Sequence, residues 1–327
     1  MNIKVYIDSG CDILYSSFYV QGLFEKFGKK NVFFTKKGFE KFKHNNHFLA
    51  FIIVSENRVL KYVIDFADSS EIDGEALEWC NTYGKINLEE KDSLTNKIIP
   101  IGPSFGIKIF NLRETIFYAI DNYISARKSI SNKKRFFSNY YAQLKRGKLE
   151  EYYPNASIKN NIFFISSLWK REKETNEFRA NFIKACKEIR AIKFEGGFAP
   201  RSNNDIQGYE NLQVKSRISF KEYLQKIKNS SVCFNTPAVL KCHGWKLAEF
   251  LCMGKVIIST PLSRIMPVSI NDKETILYTS GSKEDILNKL NSVTSNIELF
   301  CRLERNSRIF FENELSPIKV VEKIVNY

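Results

Sequence analysis

The stretch from Ser231 to Thr260, SVCFNTPAVLKCHGWKLAEFLCMGKVIIST, constrains the fold more than any other part of the chain. A short apolar run, Val232-Cys233-Phe234, breaks at Asn235-Thr236-Pro237, and a loop leads to Gly244. Trp245, Ala248, Leu251 and Cys252 then recur at helical spacing, which predicts a helix with one inward face. Gly254 ends that helix, because a left-handed cap carries no steric penalty for glycine. Lys255 to Ser259 is rich in β-branched residues and reads as a strand closed by Pro261. Strand, loop, helix and strand in this order make one parallel crossover unit. In such sheets ligands bind outside the carboxyl ends of the strands, where helix N-termini offer phosphate their free N–H groups and positive dipole end.

The rest of the chain repeats this alternation. In the first half, strands are predicted at Lys4 to Ile7, Val32 to Phe34, Phe48 to Val54, Arg58 to Phe66, Gly84 to Asn87 and Lys97 to Ile101. Helices are predicted from Phe18 to Phe27 and through Ala76, Leu77 and Cys80, and from Leu112 to Lys148 the pattern is helical and basic. The second half restarts at Ile162 to Ile165 and continues with a helix from Asn176 to Arg190. A short strand, Ile192 to Phe194, then leads into a loop at Glu195-Gly196-Gly197, and Ser219 caps a helix from Phe220 to Lys228. This succession predicts the α/β class, with Rossmann-like, doubly wound and mostly parallel sheets. At 327 residues the chain exceeds what one core usually serves. Tyr152 to Asn160, interrupted by Pro154, is the predicted linker between domains 1–152 and 160–327. The helices from Ile297 onward are expected to pack back on the first domain.

The order strand, small polar turn, HGWKLAEFLCMGKVIISTP resembles the donor-nucleotide region of GT-B glycosyltransferases, and the resemblance extends from Asn160 to Ser292. That family often carries two glutamates eight positions apart. The second is Glu249; the first position holds Lys241, and the family's aromatic-glycine step is His243-Gly244. Lys246, just before the glutamate of the helix, is similar to the basic residue of exostosin-like and fucosyltransferase-like branches. The resemblance implies an N-terminal acceptor-side domain and a C-terminal donor-binding domain facing a cleft. It implies transfer of a sugar from a UDP or GDP sugar to a glycan or lipid-linked acceptor, in bacterial surface polysaccharide synthesis such as capsule, O-antigen or lipopolysaccharide. It further implies a ribose contact for Glu249 and phosphate contacts for Lys170 and Arg171, which follow the Ser166-Ser167 turn.

Such a transferase must hold a diphosphate leaving group, either with a divalent metal or with cationic side chains and helix N-termini. The sequence has no Asp-x-Asp triplet and no His/Asp/Glu cluster at ligand spacing, so a metal-independent site without a cofactor is expected. Its candidate donor-binding residues are Ser167, Lys170, Arg171, Gly196, Gly197, Arg201, His243, Gly244, Lys246 and Glu249. Lys246 and Glu249 are three apart and can project from one helix face, although an exposed ion pair also accounts for them. Glycosyl transfer also needs a base for the acceptor hydroxyl. Asp8, at the end of the first strand, is the leading candidate, with Asp12 and Asp65 behind it. Aspartates in such places also cap helices.

The net charge of +14 favours polyanions or anionic membrane leaflets, though a composition rich in Lys and Asn throughout supplies such a charge by itself. The helical segment from Leu112 to Lys148 is heavily basic, including Arg127, Lys128, Lys133, Lys134 and Arg135, mixed with Phe136, Phe137, Tyr140 and Tyr141. That segment reads either as a membrane-surface face or as a solvated bridge whose aromatics pack inward. There is no apolar run of transmembrane length, and MNIKVYIDSG reads as a strand and turn. Seven cysteines without a CxxC pair read as buried, reduced thiols. A cytoplasmic protein, peripheral on the inner membrane face, is expected. No zinc-finger or RNA-recognition signature occurs, so nucleic acid is not an expected partner. The competing readings are another nucleotide-binding α/β enzyme of sugar metabolism, such as an epimerase or dehydrogenase, and a basic protein binding nucleic acid or anionic lipid. DSGCDI lacks the Gly-x-Gly-x-x-Gly that a dehydrogenase would show.

Overall fold

The first strand, β1 (Lys4–Asp8), ends in a tight turn from which α1 (Ile13–Phe27) departs. This helix begins five residues earlier than the apolar spacing predicts, because Asp12 caps it by accepting from the N–H groups of Leu14 at 3.2 Å and Tyr15 at 3.4 Å. Strands β2 (Val32–Thr35), β3 (Phe48–Ser55) and β4 (Arg58–Asp65) follow, then α2 (Gly74–Trp79), β5 (Thr82–Lys85) and β6 (Ile98–Pro100). They form one sheet in the order β2-β1-β3-β4-β5-β6. It is not parallel throughout: β3 runs antiparallel to both β1 and β4. Ser55 pairs with Arg58 across the turn, and strands joined so closely can pair only antiparallel. The predicted long basic helix is two, α3 (Leu112–Ala126) and α4 (Lys133–Leu144), with α3 opening in a capping box between Asn111 and Glu114.

The second α/β succession comprises β7 (Asn161–Ser166), α5 (Lys173–Glu188), β8 (Lys193–Phe198), α6 (Phe220–Asn229), β9 (Val232–Asn235), α7 (Trp245–Cys252), β10 (Val256–Ser259), β11 (Leu277–Tyr278), α8 (Lys283–Ser295) and α9 (Ile297–Phe310). All its strand pairings are parallel: β7 with β8, and β9 with β10 with β11. The Ser231 N–H donates to the Asn161 carbonyl at 2.7 Å and stitches the start of β9 to β7. Ile162, Phe164, Phe182, Phe234 and Ile258 share one core with α5, α8 and α9.

The structure describes residues 3–44, 47–56, 58–92, 96–201 and 206–327 of the computed structural model. The chain divides into one unit of residues 1–151, 264–267 and 313–327 and another of residues 152–263 and 268–312. The segment read as a linker is packed into the second unit. Ser157 donates to Glu304 at 2.5 Å and accepts from the buried Lys255 at 2.8 Å, and Arg308 lies 4.4 Å from the Tyr153 ring centre. The Glu195-Gly196-Gly197 segment is not a loop but part of β8. Of the cysteines, Cys301 is exposed, against the expectation of burial, and the other six are buried.

The last helix, α10 (Pro317–Val325), belongs to the first unit and packs on α1 at Gly22. A Cβ at Gly22 would lie 2.2 Å from the Pro317 carbonyl oxygen, so the two helices approach more closely than any side chain permits. Gly22→Ala is expected to destabilise the chain by about 1–3 kcal/mol, read as a lower urea midpoint, because the clash is with backbone that cannot rotate away.

Candidate functional sites

In the second unit, the carboxyl end of β7 is surrounded by cations that donate to its carbonyls. Lys246, from the first turn of α7, donates to the Ile165 carbonyl and lies 5.5 Å from the Phe164 ring centre. Arg179, from α5, reaches the Ser167 carbonyl at 2.9 Å, and Arg201 reaches that of Leu168 at 2.6 Å. Arg179 also donates to the Thr236 hydroxyl at 2.9 Å and the Pro237 carbonyl at 3.5 Å, which ties the end of β7 to the end of β9. Asn176 brackets Trp169 through both its N–H, at 3.0 Å, and its carbonyl, at 2.7 Å. Loops that carry ligand-binding residues are held by contacts of this kind.

The electrostatics are uneven. Burial lowers the Lys246 ammonium to a pKa of about 8, with Arg179 adding to the effect, and burial lowers Arg179 to about 10. Neither forms an ion pair among the described residues; their hydrogen bonds go to carbonyls and a hydroxyl. Arg179 escaped the sequence reading because it lies mid-helix among apolar neighbours, and only its burial, with Glu172 acting on it from beyond ion-pair distance, reveals it.

Beside this cluster lies a pocket of about 550 Å³. Lys170, Arg171, Lys173 and Lys241 line it together with Glu172, Glu174, Thr175 and Thr260, so cations outnumber carboxylates by two. The first turn of α5, a 16-residue helix with no side-chain cap, opens at its wall. Thr260 is 2% exposed and its hydroxyl has no partner among the described residues. Lys241, which replaces the glutamate usual in the resembling family, is thus a fourth cation in the pocket. It and Leu240 both have left-handed backbone, with φ of 59° and 55°. Glu172 accepts from the Leu240 N–H at 3.0 Å and Ser263 donates to the Lys241 carbonyl at 2.6 Å, which holds this strained pair in place.

Other predicted residues are placed differently. Glu249 is 3% exposed and accepts from the Tyr223 hydroxyl of α6 at 2.8 Å, so it is not half of a solvated ion pair with Lys246, whose ammonium turns to β7. His243 is buried, and Gly244 is the N-cap of α7. Ser167 is exposed and contributes its carbonyl to Arg179. Gly196 and Gly197 have a packing reason to be glycine. A Cβ at Gly196, with φ of 125°, would lie 1.8 Å from the Phe164 carbonyl oxygen, and one at Gly197 2.2 Å from that of Leu212.

In the first unit, the turn after β1 gathers a second cluster. Asp8, 4% exposed, accepts from the Gly10 N–H at 2.8 Å and from Lys36 at 3.1 Å to each oxygen. Burial raises its pKa from 3.8 to about 6 against the pull of Lys36. His44, which the sequence reading did not single out, is 4% exposed with Nδ1 3.1 Å from the Gly10 carbonyl, while Nε2 has no partner among the described residues. Burial lowers its pKa and keeps it neutral. Asp12 caps α1 and lies 3.8 Å from Arg135. Asp65 is held by Tyr83 and by the fully buried Lys85, at 2.9 Å, in the manner of a core anchor. Among the described residues no group of three or more His, Cys, Asp or Glu is placed to hold a metal ion.

Two outcomes follow for these clusters. Glu249→Ala strands the Tyr223 hydroxyl and is expected to cost about 1–3 kcal/mol in urea unfolding, whereas Glu249→Gln keeps an acceptor and most of that stability. The folded chain holds the Asp8 proton more tightly than the unfolded chain, so this group favours folding below pH 3.8 and loses that contribution as pH rises to about 6. Asp8→Asn is expected to flatten the melting temperature over that interval.

No protein-family model matches the chain, and no curated protein does. Among solved structures, it is similar to the C-terminal domain of a group 1 family glycosyl transferase, LpcC, from Francisella tularensis, at 15% identity and TM-score 0.37, over 51% of this chain and 96% of that one. It is similar to TarM at 12% identity and TM-score 0.48 over 81% of this chain, and it spans only 49% of TarM. It is similar to HepE of Anabaena, solved in complex with UDP-glucose, at 10% identity and TM-score 0.40, over 77% of this chain and 79% of that one. These likenesses lie at 15% identity or less and at TM-scores of 0.48 or less.

Proposed function

We propose that the chain is a metal-independent glycosyltransferase that moves a sugar from a UDP- or GDP-linked donor to a glycan or lipid-linked acceptor, in surface polysaccharide synthesis at the inner membrane face. The observation that carries the reading is the pair Arg179 and Lys246. Arg179 is buried and Lys246 half-buried, neither has a carboxylate within ion-pair distance among the described residues although Glu172 and Glu249 act on them from further off, and both donate to strand ends beside a pocket lined by four more cations and two glutamates. Six cations, of which Arg179 and Lys246 are desolvated, against the three carboxylates Glu172, Glu174 and Glu249 leave an excess of positive charge, which suits a ligand that brings negative charge, and a diphosphate brings the most in the least space.

In this reading the bond from the anomeric carbon to the diphosphate oxygen breaks with its electron pair left on oxygen. Lys246, Arg179 and the pocket lysines receive that charge. The acceptor hydroxyl gives its proton to Asp8 as its oxygen bonds to the sugar. With a pKa near 6, Asp8 is ionised and able to accept at neutral pH. Glu249, oriented by Tyr223, takes the ribose hydroxyls.

Calorimetric titration with UDP, GDP and the matching nucleosides tests the donor site. Lys246→Met should weaken the diphosphate roughly ten- to a hundred-fold and leave the nucleoside unchanged, because the lost charge acts only on phosphate. Wild-type affinity should fall as pH rises through about 8, where Lys246 loses its proton, and the variant should lack that dependence. Absence of binding by either nucleotide, or stabilisation by NAD instead, would overturn the reading. For the base, kcat/KM should fall as pH drops through about 6 and should collapse at all pH values in Asp8→Asn.

A further inference from the structure

Helix α3 is built the wrong way round for a helix on a soluble surface. Its inward face carries Thr115, Ala119, Asn122 and Ala126, small or polar and all buried, with the half-buried Tyr118 and Tyr123 packed beside them on Phe110 and Phe136. Its outward face carries Leu112, Ile116, Ile120 and Ile124, exposed by 60%, 53%, 53% and 62%, with Phe117 beside them at 62%. Positions four apart stack along one line, so these side chains make a continuous apolar ridge. On the neighbouring α4, Phe137 and Tyr141 are also exposed, at 40% and 60%. Apolar ridges of this kind are uncommon on soluble surfaces and mark contact sites.

We infer that this ridge is where the chain meets a bilayer rich in anionic lipid, with α3 lying in the plane of the interface. The charge around it selects that occupant. Arg113 stands at one end of the ridge, Arg127 and Lys128 at the other, and Lys133 and Lys134 begin α4; all are exposed. The acids near them are few: Glu114 is paired with Lys29 at 2.6 Å, which leaves Asp121 as the exposed carboxylate of α3. A second copy of the chain docking face to face would set cations against cations, and a nucleic acid would have no use for a row of isoleucines. A leaflet offers both hydrocarbon for the ridge and negative headgroups for its rim. The inference deepens the proposed function, since it names the surface by which a lipid-linked acceptor would be reached, but it rests on α3 and α4 alone.

Flotation of the full chain with vesicles of phosphatidylcholine, with and without phosphatidylglycerol, tests it. Binding is expected only with phosphatidylglycerol, and it should weaken at high salt. Ile116→Glu/Ile120→Glu, at solvent-exposed positions, should reduce vesicle binding at least about ten-fold while leaving circular dichroism and UDP titration as in the wild type. Lys133→Ala and Lys134→Ala should each reduce it about five-fold at low salt. Phe117→Glu serves as a second probe of the ridge should the double variant fold poorly. Failure of the wild type to float, equal binding by ridge variants, or a sedimentation dimer that Ile120→Glu dissolves would overturn the inference. Because UDP binding is read on the same preparations, loss of the membrane result leaves the donor-site reading standing, and the reverse holds as well.

Discussion

Arg179 is the hinge on which the second unit is assembled. A buried guanidinium outside ion-pair distance of a carboxylate carries a desolvation cost that good hydrogen-bond geometry offsets, and here, with Glu172 adding a more distant attraction, one planar fork serves the Ser167 carbonyl, the Thr236 hydroxyl and the Pro237 carbonyl together. Those groups end two different strands, so the cation fixes the spacing of β7 and β9 where their ladders stop. Lysine has no fork and could not make the same three contacts. The loop after β7 is held at that junction, while the strained turn at Leu240 and Lys241 is held separately by Glu172 and Ser263.

The two clusters solve opposite electrostatic problems. At the end of β7, positive charge is concentrated and desolvated, which lowers the pKa of Lys246 and Arg179 and favours an incoming anion. After β1, a carboxylate is buried so deeply that even Lys36 beside it leaves its pKa raised. Shifts in opposite directions on cations and a carboxylate have the same origin in burial, and they leave each group near its useful protonation state at neutral pH.

Much of the fold was legible because hydrophobic periodicity and caps are local. Ser219, Gly254 and the β-branched run at Val256–Ser259 each act within a few residues of where they stand, and the elements fall where they point. What the sequence hid was non-local. Gly196-Gly197 looked like a turn because the carbonyls of Phe164 and Leu212 that demand glycine come from other segments. The direction of β3 depends on a tight turn rather than on any property of its own residues. Lys170, Arg171, Arg201 and Lys246 were visible as cations after strands or before a helix, while Arg179 and His44 were not, since their significance lies in which groups surround them after folding. The inverted polarity of α3 is the subtlest case: its exposed isoleucines have ordinary helical spacing, and spacing does not say which face turns inward.

The path of the backbone has a consequence for how such a chain is made. It leaves the first unit after residue 151, returns for residues 264–267, leaves again, and comes back for good at residue 313. The helix that packs on Gly22 therefore emerges only after the whole of the second unit during synthesis. Until it does, α1 has an uncovered apolar face, and the first unit cannot finish folding while the second, begun later, is already complete but for its neighbours. Fragments cut at the apparent boundary would lack a helix of one unit while carrying it uselessly on the other, so the two halves are separable in space but not in sequence.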